Sequence, residues 1–380
     1  MSRATSWITG VGDTPFGRLA GETPLSLMAK AATAALSEAG LPREAVDGLL
    51  CGYSGTLPHL MLATLFGEYF GLRPRYAHAL QAGGATGGAM VMLAHRLVAS
   101  GECRHVLVVA GDNRLSGQGR DNAVAMLAQV GHHDYELPFG PTIPAYYALV
   151  ASRYMHVHGV SERDLAEFAV LMRRHAALHP GAHLQAPITV ADVLGSRPIA
   201  TPLKLLDCCP VSDGAAALLV SAEAISPRVG IVGAAQVHPH QHVSAATDLA
   251  DFGLAACAAR ALAEAGAARE DVDLLAIYDS FTITLLALLE ETGFAPRGKA
   301  AALARDGVFG RDGRWPLNPH GGLLSFGHSG VAGGLAHIVE ASRQLRGAAR
   351  TRQLRSPHLA FVHGDGGVMS SHVSLVLRRE

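Results

Sequence analysis

Three glycine-rich segments contain the residues of this sequence that are best suited to catalysis. They are residues 81–88 (QAGGATGG), 318–330 (NPHGGLLSFGHSG) and 363–367 (HGDGG). Glycine lets backbone N–H groups approach a ligand closely, and a helix that begins after such a turn favours developing negative charge. Two of the segments also contain histidine, whose ordinary pKa of about 6.5 suits proton transfer and hydrogen-bond donation. The segments therefore predict a site that stabilises an oxyanion.

The elements that must position these segments are present twice. Residues 35–49 (ALSEAGLPREAVDGL) return as residues 261–275 (ALAEAGAAREDVDLL), with ten of fifteen positions identical at an offset of 226. Residues 105–112 (HVLVVAGD) likewise match residues 358–365 (HLAFVHGD). Each half is predicted to fold as strand, helix, strand, helix, strand, because buried apolar runs alternate with Ala-rich helical segments. This alternation predicts a largely parallel sheet covered by helices, with a functional cleft between two related halves.

Composition excludes several classes of protein. With 380 residues, of which 49% are hydrophobic and 17% charged, the chain is long enough for two similar domains. A net charge of -1 argues against nucleic acid or a membrane surface as a partner held by charge. No apolar run approaches the roughly 18 residues of a spanning helix, and no signal peptide is recognisable, so we expect a cytoplasmic protein. The five cysteines have no metal-binding spacing and are expected to be reduced.

An insertion at about residues 113–206 separates the repeats. We therefore divide the chain into an N-terminal half, residues 1–222, which includes the insertion, and a C-terminal half, residues 223–380. Helical periodicity covers residues 145–156 and 162–175, and the whole insertion is expected to lie over the cleft as loop and helix. Arg173 and Arg174 are weak candidates for contacts with a ligand phosphate, although a solvated helix face is the favoured explanation for each of them.

The order of the motifs resembles the thiolase superfamily, specifically its sterol-carrier-protein thiolase-like branch, also called lipid-transfer proteins. The resemblance covers essentially the whole chain and rests on the following segments: GVGDTPFG at residues 10–17, CPVSDGAAA at 209–217, YDSF at 278–281, the loop that ends at His328, and the last glycine-rich strand. It implies a five-layer αβαβα thiolase fold, in which two sheets enclose a central pair of helices. It also implies a homodimer built across the N-terminal half, and coenzyme A thioester as substrate, with no bound cofactor.

Only part of the thiolase site is kept under this resemblance. The position of the nucleophilic cysteine falls on Gly84, and Tyr278 replaces the Asn or His that opens the Asn-Glu-Ala-Phe or His-Asp-Cys-Phe box of the family. The histidine of the Gly-His-Pro loop is His328, followed here by a serine, and the second cysteine falls near His363. Acyl-cysteine chemistry is therefore not expected at the usual position.

Other candidate residues have a structural explanation at least as good as a functional one. Cys103 and Cys257 are predicted to lie in the core, and Cys208 and Cys209 to pack in a loop. His238, His240 and His242 alternate as a zinc-binding strand would, but proline in that segment favours a loop. Asp213 is expected to form a turn.

The remaining groups suit an enolate better than an acyl-enzyme. His328 is expected to donate to a thioester oxygen or move a proton, and Tyr278 to be a second donor or the acid/base. The predicted oxyanion site is completed by the His363 side chain and by backbone N–H groups. The backbone groups belong to Gly84, Asp365, Gly366 and Gly367.

The resemblance adds a specific expectation for the reaction. Some relatives without the cysteine are aldolases that split a β-hydroxyacyl-CoA, often of a steroid side chain, with a small zinc-ribbon and OB-fold partner. We therefore predict retro-aldol cleavage or its reverse. Two alternatives stay open: an acyltransferase with a displaced cysteine, and a non-catalytic carrier or scaffold that binds acyl-CoA or lipid.

Overall fold

A computed structural model describes residues 6–224 and 228–380. The first half begins with the elements β1 (Trp7–Asp13), α1 (Pro24–Ala39), β2 (Gly48–Gly52), α2 (Leu62–Phe70), β3 (Tyr76–Leu80), α3 (Thr86–Ala99) and β4 (His105–Asn113). The insertion follows, with α4 (Arg120–Ala128), α5 (Ile143–His158), α6 (Glu162–Ala176), α7 (Val190–Gly195), β5 (Pro198–Ala200) and β6 (Leu203–Lys204), and then β7 (Asp213–Ser221) closes the half.

The second half begins with the same order of strand, helix, strand and helix. Its elements are β8 (Val229–Val237), α8 (Ala255–Ala265), β9 (Leu274–Ile277), α9 (Thr282–Glu291), α10 (Ala300–Arg305), α11 (Gly322–Ser325), α12 (Val331–Arg346), β10 (Leu359–Gly366) and β11 (Ser371–Arg379). The repeated sequence runs from the end of α1 into β2 and from the end of α8 into β9. Each copy thus begins and ends at equivalent elements, as the sequence predicts.

The main sheet is mixed, with the strand order β3-β2-β4-β7-β1-β8-β11-β10-β9. Its two halves join at a single residue pair, Trp7 of β1 with Gly230 of β8. Among the described residues, β2 pairs in parallel with β3 and β4, and β10 with β9, whereas the other pairs in this sheet are antiparallel. The prediction of a largely parallel sheet is wrong, because β7 and β11 enter each half without a crossover helix of the repeat.

Five layers are present, as predicted. Helices α3 and α12 lie between the two halves of the sheet: α3 contacts β2 and β4 on one side and β10 and β11 on the other, and α12 makes equivalent contacts. Helices α1 and α2 cover the outer face of the first half, and α8 and α9 that of the second. A β-carbon placed on Gly87 of α3 would lie 2.9 Å from the backbone nitrogen of Leu335 in α12. Glycine at this crossing therefore lets the two central helices approach closely.

The insertion forms the predicted helices, since α5 and α6 cover residues 145–156 and 162–175. Ser161 and Asp164 cap α6 reciprocally, which fixes where this helix begins. Both helices pack on α9, and α6 also contacts α11, which precedes His328. Over the described residues, no helix is both long and apolar enough to cross a membrane.

Candidate active site

Several chain segments converge where α3 and α12 begin. Gly84 lies just before α3, Tyr278 directly follows β9, and His328 lies just before α12. The end of β10 and residues 208–212 complete the surroundings. The order of elements in each repeat brings these ends to one place, since each follows a buried strand or precedes a buried helix.

The Tyr278 hydroxyl occupies the space next to Gly84. A β-carbon placed on Gly84 would overlap both the Tyr278 hydroxyl and the carbonyl oxygen of Asp365. Backbone as well as side-chain atoms would have to move to accommodate any larger residue. The position that the resemblance assigns to the nucleophile therefore has no room for a side chain, and a phenol lies there instead.

Tyr278 and His328 form a hydrogen-bonded pair. The distance from Tyr278 Oη to His328 Nε2 is 3.1 Å, and the Gly330 N–H donates to His328 Nδ1 at 3.1 Å. Burial, helped by the nearby Arg114 cation, lowers the pKa of His328 to about 3. The imidazole is therefore neutral, and because Nδ1 accepts, its proton is on Nε2 and is donated to Tyr278. The Tyr278 O–H remains free to donate to a ligand.

Residues 208–212 form one wall of the site. The Cys209 N–H donates to the Ser280 carbonyl at 3.0 Å, and the Ser212 N–H donates to the His328 carbonyl at 3.0 Å. Cys209 thus lies nearer the site than a packing residue needs to, although it is half-buried and burial raises the pKa of its thiol. Burial also raises the pKa of Cys208 to about 12, so neither thiol is suited to nucleophilic attack at neutral pH.

The other cysteines named in the sequence lie in the core, as predicted. Cys103 and Cys257 are each 1% exposed. Cys103 precedes β4, at the opposite end of this strand from Arg114, and Cys257 lies in α8 on the outer face of the sheet, so neither belongs to the group around Tyr278 and His328.

His363 and Asp365 point away from α3. Gly364 and Gly366 face α3, where a β-carbon on Gly364 would lie 3.3 Å from Ala85 Cα, and side chains alternate along a strand. His363 instead contacts Ser374 Oγ at 2.9 Å and His372 Nδ1 at 3.2 Å. The His363 carbonyl accepts from the Tyr278 N–H at 2.9 Å, but the imidazole of His363 lies behind the site, in a buried polar network.

Asp365 is the other main member of this network. Its carboxyl accepts a hydrogen bond from the Tyr147 hydroxyl at 2.7 Å, and burial raises its pKa to about 8. The backbone of residues 365–367 does border the site: a β-carbon on Gly83 would lie 2.6 Å from the Gly367 nitrogen and 2.9 Å from Gly366 Cα. The predicted glycine loops therefore meet, but the side chains at 363 and 365 do not join them.

The two arginines of the insertion differ in their surroundings. Arg173 is buried, and it donates from Nε to Ser325 Oγ and from Nη1 to the Ala186 carbonyl, both at 3.1 Å. These contacts hold α6 against the loop before His328 and leave Arg173 no surface for a phosphate, contrary to the prediction. Arg174 is exposed beside a surface cleft that Arg311 and Arg314 also line.

The histidines considered for zinc have separate partners. His238 Nδ1 lies 3.0 Å from Ser371 Oγ, His240 donates to the Val368 carbonyl at 3.1 Å, and the His242 ring contacts His132. Within residues 6–224 and 228–380, no group of three or more His, Cys, Asp or Glu residues is arranged to hold a metal ion.

Asp213 has the structural role expected of it. Its carboxylate accepts hydrogen bonds from the backbone N–H groups of Leu19, at 2.8 Å, and Leu115, at 2.8 Å. It thereby ties the loop after β1 to the start of the insertion.

Two features of the site were missed from the sequence. Arg114 lies beside the Tyr278–His328 pair, and the signal for it was its place just after a buried strand, where functional residues of such folds collect. Tyr147 and His372, which lie near Asp365, belong to no sequence motif. Tyr147 reaches Asp365 from α5 of the insertion, and His372 lies opposite Asp365 on the neighbouring strand β11.

Comparison with known proteins identifies the class. A family model described as "Thiolase, N-terminal domain" matches residues 6–201, and one described as "Thiolase C-terminal domain-like" matches residues 235–379. The chain therefore belongs to the thiolase family, and the predicted fold and superfamily are confirmed.

Individual relatives include aldolases and thiolases. A "Steroid side-chain-cleaving aldolase" of Thermomonospora curvata is 34% identical over 369 residues, with 90% of each chain covered. An "Acetyl-CoA acetyltransferase" of Methanothermobacter thermautotrophicus is 29% identical, with 96% of this chain and 98% of the relative covered. The solved structure "Ltp2-ChsH2(DUF35) aldolase" superposes with a TM-score of 0.85 at 32% identity and covers 100% of this chain and 99% of its own. These matches support an enzyme and favour the aldolase type.

Proposed function

We propose that this protein cleaves the Cα–Cβ bond of a β-hydroxyacyl-CoA by a retro-aldol reaction, without an acyl-cysteine intermediate. The observation that carries the proposal is the Tyr278 hydroxyl in the space beside Gly84, paired with His328 at 3.1 Å. This arrangement offers acid/base and donor groups but no activated thiol. The similarity to proteins named as aldolases supports the same class of reaction.

Tyr278 is the acid/base in this proposal. Its phenolate form takes the proton of the substrate's β-hydroxyl, the Cα–Cβ bond breaks, and the electron pair of that bond forms the thioester enolate while the hydroxyl carbon becomes a carbonyl. The enolate α-carbon then takes the proton back from Tyr278. The products are a ketone or aldehyde and a shorter acyl-CoA, and neither an oxidant nor a covalent nucleophile is needed.

His328 stabilises negative charge on its neighbours. Because its pKa is lowered to about 3, it stays neutral at physiological pH and keeps its Nε2 proton. That N–H donates to the Tyr278 oxygen, and to the enolate oxygen when substrate is bound, in a site largely closed to water. The backbone around Gly84, Gly366 and Gly367 forms the remaining wall of this oxyanion site.

The acyl group and the partner belong to the same proposal. The substrate class proposed is a CoA thioester of a steroid or other lipid side chain, and the name of the Thermomonospora curvata relative, a steroid side-chain-cleaving aldolase, supports the steroid part of this assignment. The name of the solved aldolase includes a DUF35 component, and a small partner of that type is proposed here. A homodimer is proposed across β3, since this edge strand is only half-covered, with His78 and Ala79 exposed.

One observation favours a second candidate function. Cys209 lies in the wall of the site, where acyl transfer through a displaced cysteine would need it. Its raised thiol pKa argues against this reaction.

The aldolase proposal is tested by product analysis. The protein, alone and with a DUF35-type partner, is incubated with a panel of β-hydroxyacyl-CoA thioesters, and the carbonyl and acyl-CoA products are measured by mass spectrometry. Tyr278→Phe keeps the buried ring and removes the hydroxyl, so the rate is expected to fall by about 10²–10⁴-fold. Unchanged turnover in this variant would place the chemistry elsewhere or leave a carrier function as the better explanation.

A further inference from the structure

Arg114 approaches the catalytic pair from the N-terminal half. It follows β4 by one residue, and its side chain lies over Gly330: a β-carbon placed there would be 3.6 Å from Arg114 Cδ and 4.0 Å from Nη1. Gly330 is the residue whose N–H holds His328 Nδ1 at 3.1 Å. The guanidinium is therefore a neighbour of the loop that positions His328 against Tyr278.

The charge of Arg114 is not neutralised by an ion pair. Among the described residues, no carboxylate lies within 4.0 Å of its nitrogens, and its buried Nε has no hydrogen-bond partner. Asp112 lies nearby, but its carboxylate accepts from Ser54 Oγ at 3.0 Å and the Gly55 N–H at 2.6 Å, and also from Thr56. Holding a cation without an ion-pair partner beside a buried site costs free energy unless the cation stabilises an anion there.

We propose that Arg114 is a positioning residue for the aldol reaction, and that its guanidinium stabilises the anionic form of Tyr278 on which cleavage depends. The inference rests on the proposed function and goes beyond it, because it names the group that makes a buried phenol usable as a base. Because Tyr278 and the Arg114 Nε are buried, the attraction between phenolate and guanidinium is screened less than it would be in bulk water.

The groups around Tyr278 support this assignment. Burial raises its pKa well above the ordinary value, and negative charge on neighbours adds to that rise, whereas Arg114 lowers it. The titratable and charged groups close enough to influence or contact Tyr278 are Tyr53, Arg114, Tyr147, Cys209, His328, His337 and Asp365. Within this set Arg114 is the permanent cation, and it also lowers the pKa of Tyr53 and Cys209.

The expected pH dependence of kcat/KM follows from the directions in which these groups shift the pKa of Tyr278. Phenolate is the active form, so kcat/KM rises with pH until Tyr278 is ionised in the free enzyme. Loss of the cation raises the pKa of Tyr278 and moves this rise to higher pH. At a fixed pH on the rising limb, each unit of displacement lowers kcat/KM about tenfold.

The test compares pH profiles of kcat/KM for the wild-type protein, Arg114→Gln and Arg114→Lys, with the DUF35-type partner where it is required. Arg104→Gln is the matched control, because Arg104 precedes the other end of β4, about 30 Å away, in an exposed ion pair with Glu223. We expect Arg114→Gln to move the rise in kcat/KM to higher pH by at least about one unit. Arg114→Lys keeps the positive charge and should have a profile close to that of the wild type, and Arg104→Gln should leave the profile unchanged.

A second readout is independent of turnover. Tyrosinate absorbance near 295 nm is titrated in each protein and in the same protein carrying Tyr278→Phe, and the difference reports the ionisation of Tyr278 alone. A later titration in Arg114→Gln supports the inference. An unchanged titration and profile, a loss confined to KM, or an effect of Arg114→Lys equal to that of Arg114→Gln overturns it. Full activity of Tyr278→Phe would instead overturn the proposed function.

Discussion

The two central helices are equivalent elements of the duplicated halves, yet they contribute differently to the site. Helix α3 begins after Gly84, where no side chain fits, and α12 begins after His328, whose imidazole meets Tyr278 at 3.1 Å. The N-terminal half therefore supplies space and the C-terminal half supplies the reactive side chains. Duplication has kept the backbone positions of the site while its chemistry has become one-sided.

The same contrast holds at the ends of β4 and β10. Asp112 and Asp365 occupy matching positions of the repeat. Asp112 accepts hydrogen bonds from Ser54, Gly55 and Thr56, whereas the Asp365 carboxyl is buried and accepts from the Tyr147 hydroxyl. Equivalent carboxyls therefore have opposite roles. Asp112 anchors the loop after β2, and Asp365 lies in a buried network that favours its protonated form.

The His328 side of the comparison should give a larger effect on turnover than the Gly84 side. We expect His328→Ala to lower kcat by about 10²–10³-fold, as for the loss of an oxyanion-hole donor. Steady-state turnover measures this loss. His328→Gln is the control, since its amide N–H can reach a similar position; if both variants lose activity equally at unchanged stability, simple donation from Nε2 is not the role of His328.

A single methyl group added at Gly84 tests whether this position has no room for a side chain. Gly84→Ala would push against the Tyr278 hydroxyl and the Asp365 carbonyl, so we expect a loss of about 1–3 kcal/mol in the free energy of unfolding together with lower turnover. Urea unfolding and the product assay measure the two effects. Gly195→Ala is the control for substitution of glycine by alanine, because Gly195 does not have a positive φ and nothing lies within 4 Å of its β-carbon. Equal stability of Gly84→Ala and wild type would contradict the described packing.

Asp365 should give a smaller effect that depends on pH. Its folded-state pKa of about 8 lies above the unfolded value of about 3.9, so the folded protein holds a proton that the unfolded chain has lost between these pH values. The contribution of this carboxyl to stability therefore falls as pH rises from about 4 to about 8. Asp365→Asn removes this penalty, and its stability relative to wild type is expected to rise by about 1.4 kcal/mol per pH unit in that window.

Urea unfolding at several pH values measures this difference. Asp112→Asn is the matched control from the other repeat, and because it loses acceptors for several donors we expect it to be destabilised. A constant difference between Asp365→Asn and wild type from pH 5 to pH 8 would show that the carboxyl is not held protonated.

Much of the fold was predictable from the sequence because the repeat is explicit. Residues 35–49 and 261–275 predicted the paired helices and strands, and the periodicity of residues 162–175 predicted α6 almost to its ends. The antiparallel partners β7 and β11 were not predicted as such, since a buried apolar run has the same pattern in a parallel and an antiparallel strand.

The site was predictable only where a residue belongs to a glycine-rich motif. His328 and Gly84 were located in this way, and the approach of Tyr278 to both follows from the motif order. His363 was misjudged because the alternation of β10 turns it away from α3, and strand facing cannot be read from a single strand end. Arg173 was misjudged because a basic residue at the end of a helix has the same sequence pattern whether it is exposed or buried.

The central claim is that carbon–carbon cleavage here proceeds without an acyl-enzyme. Intact-mass spectrometry of the protein during turnover of a β-hydroxyacyl-CoA, and after incubation with a simple acyl-CoA, tests it most directly. We predict the unmodified protein mass while carbonyl and acyl-CoA products accumulate. A stable acyl adduct that maps to Cys209 and disappears in Cys209→Ala together with activity would contradict this claim.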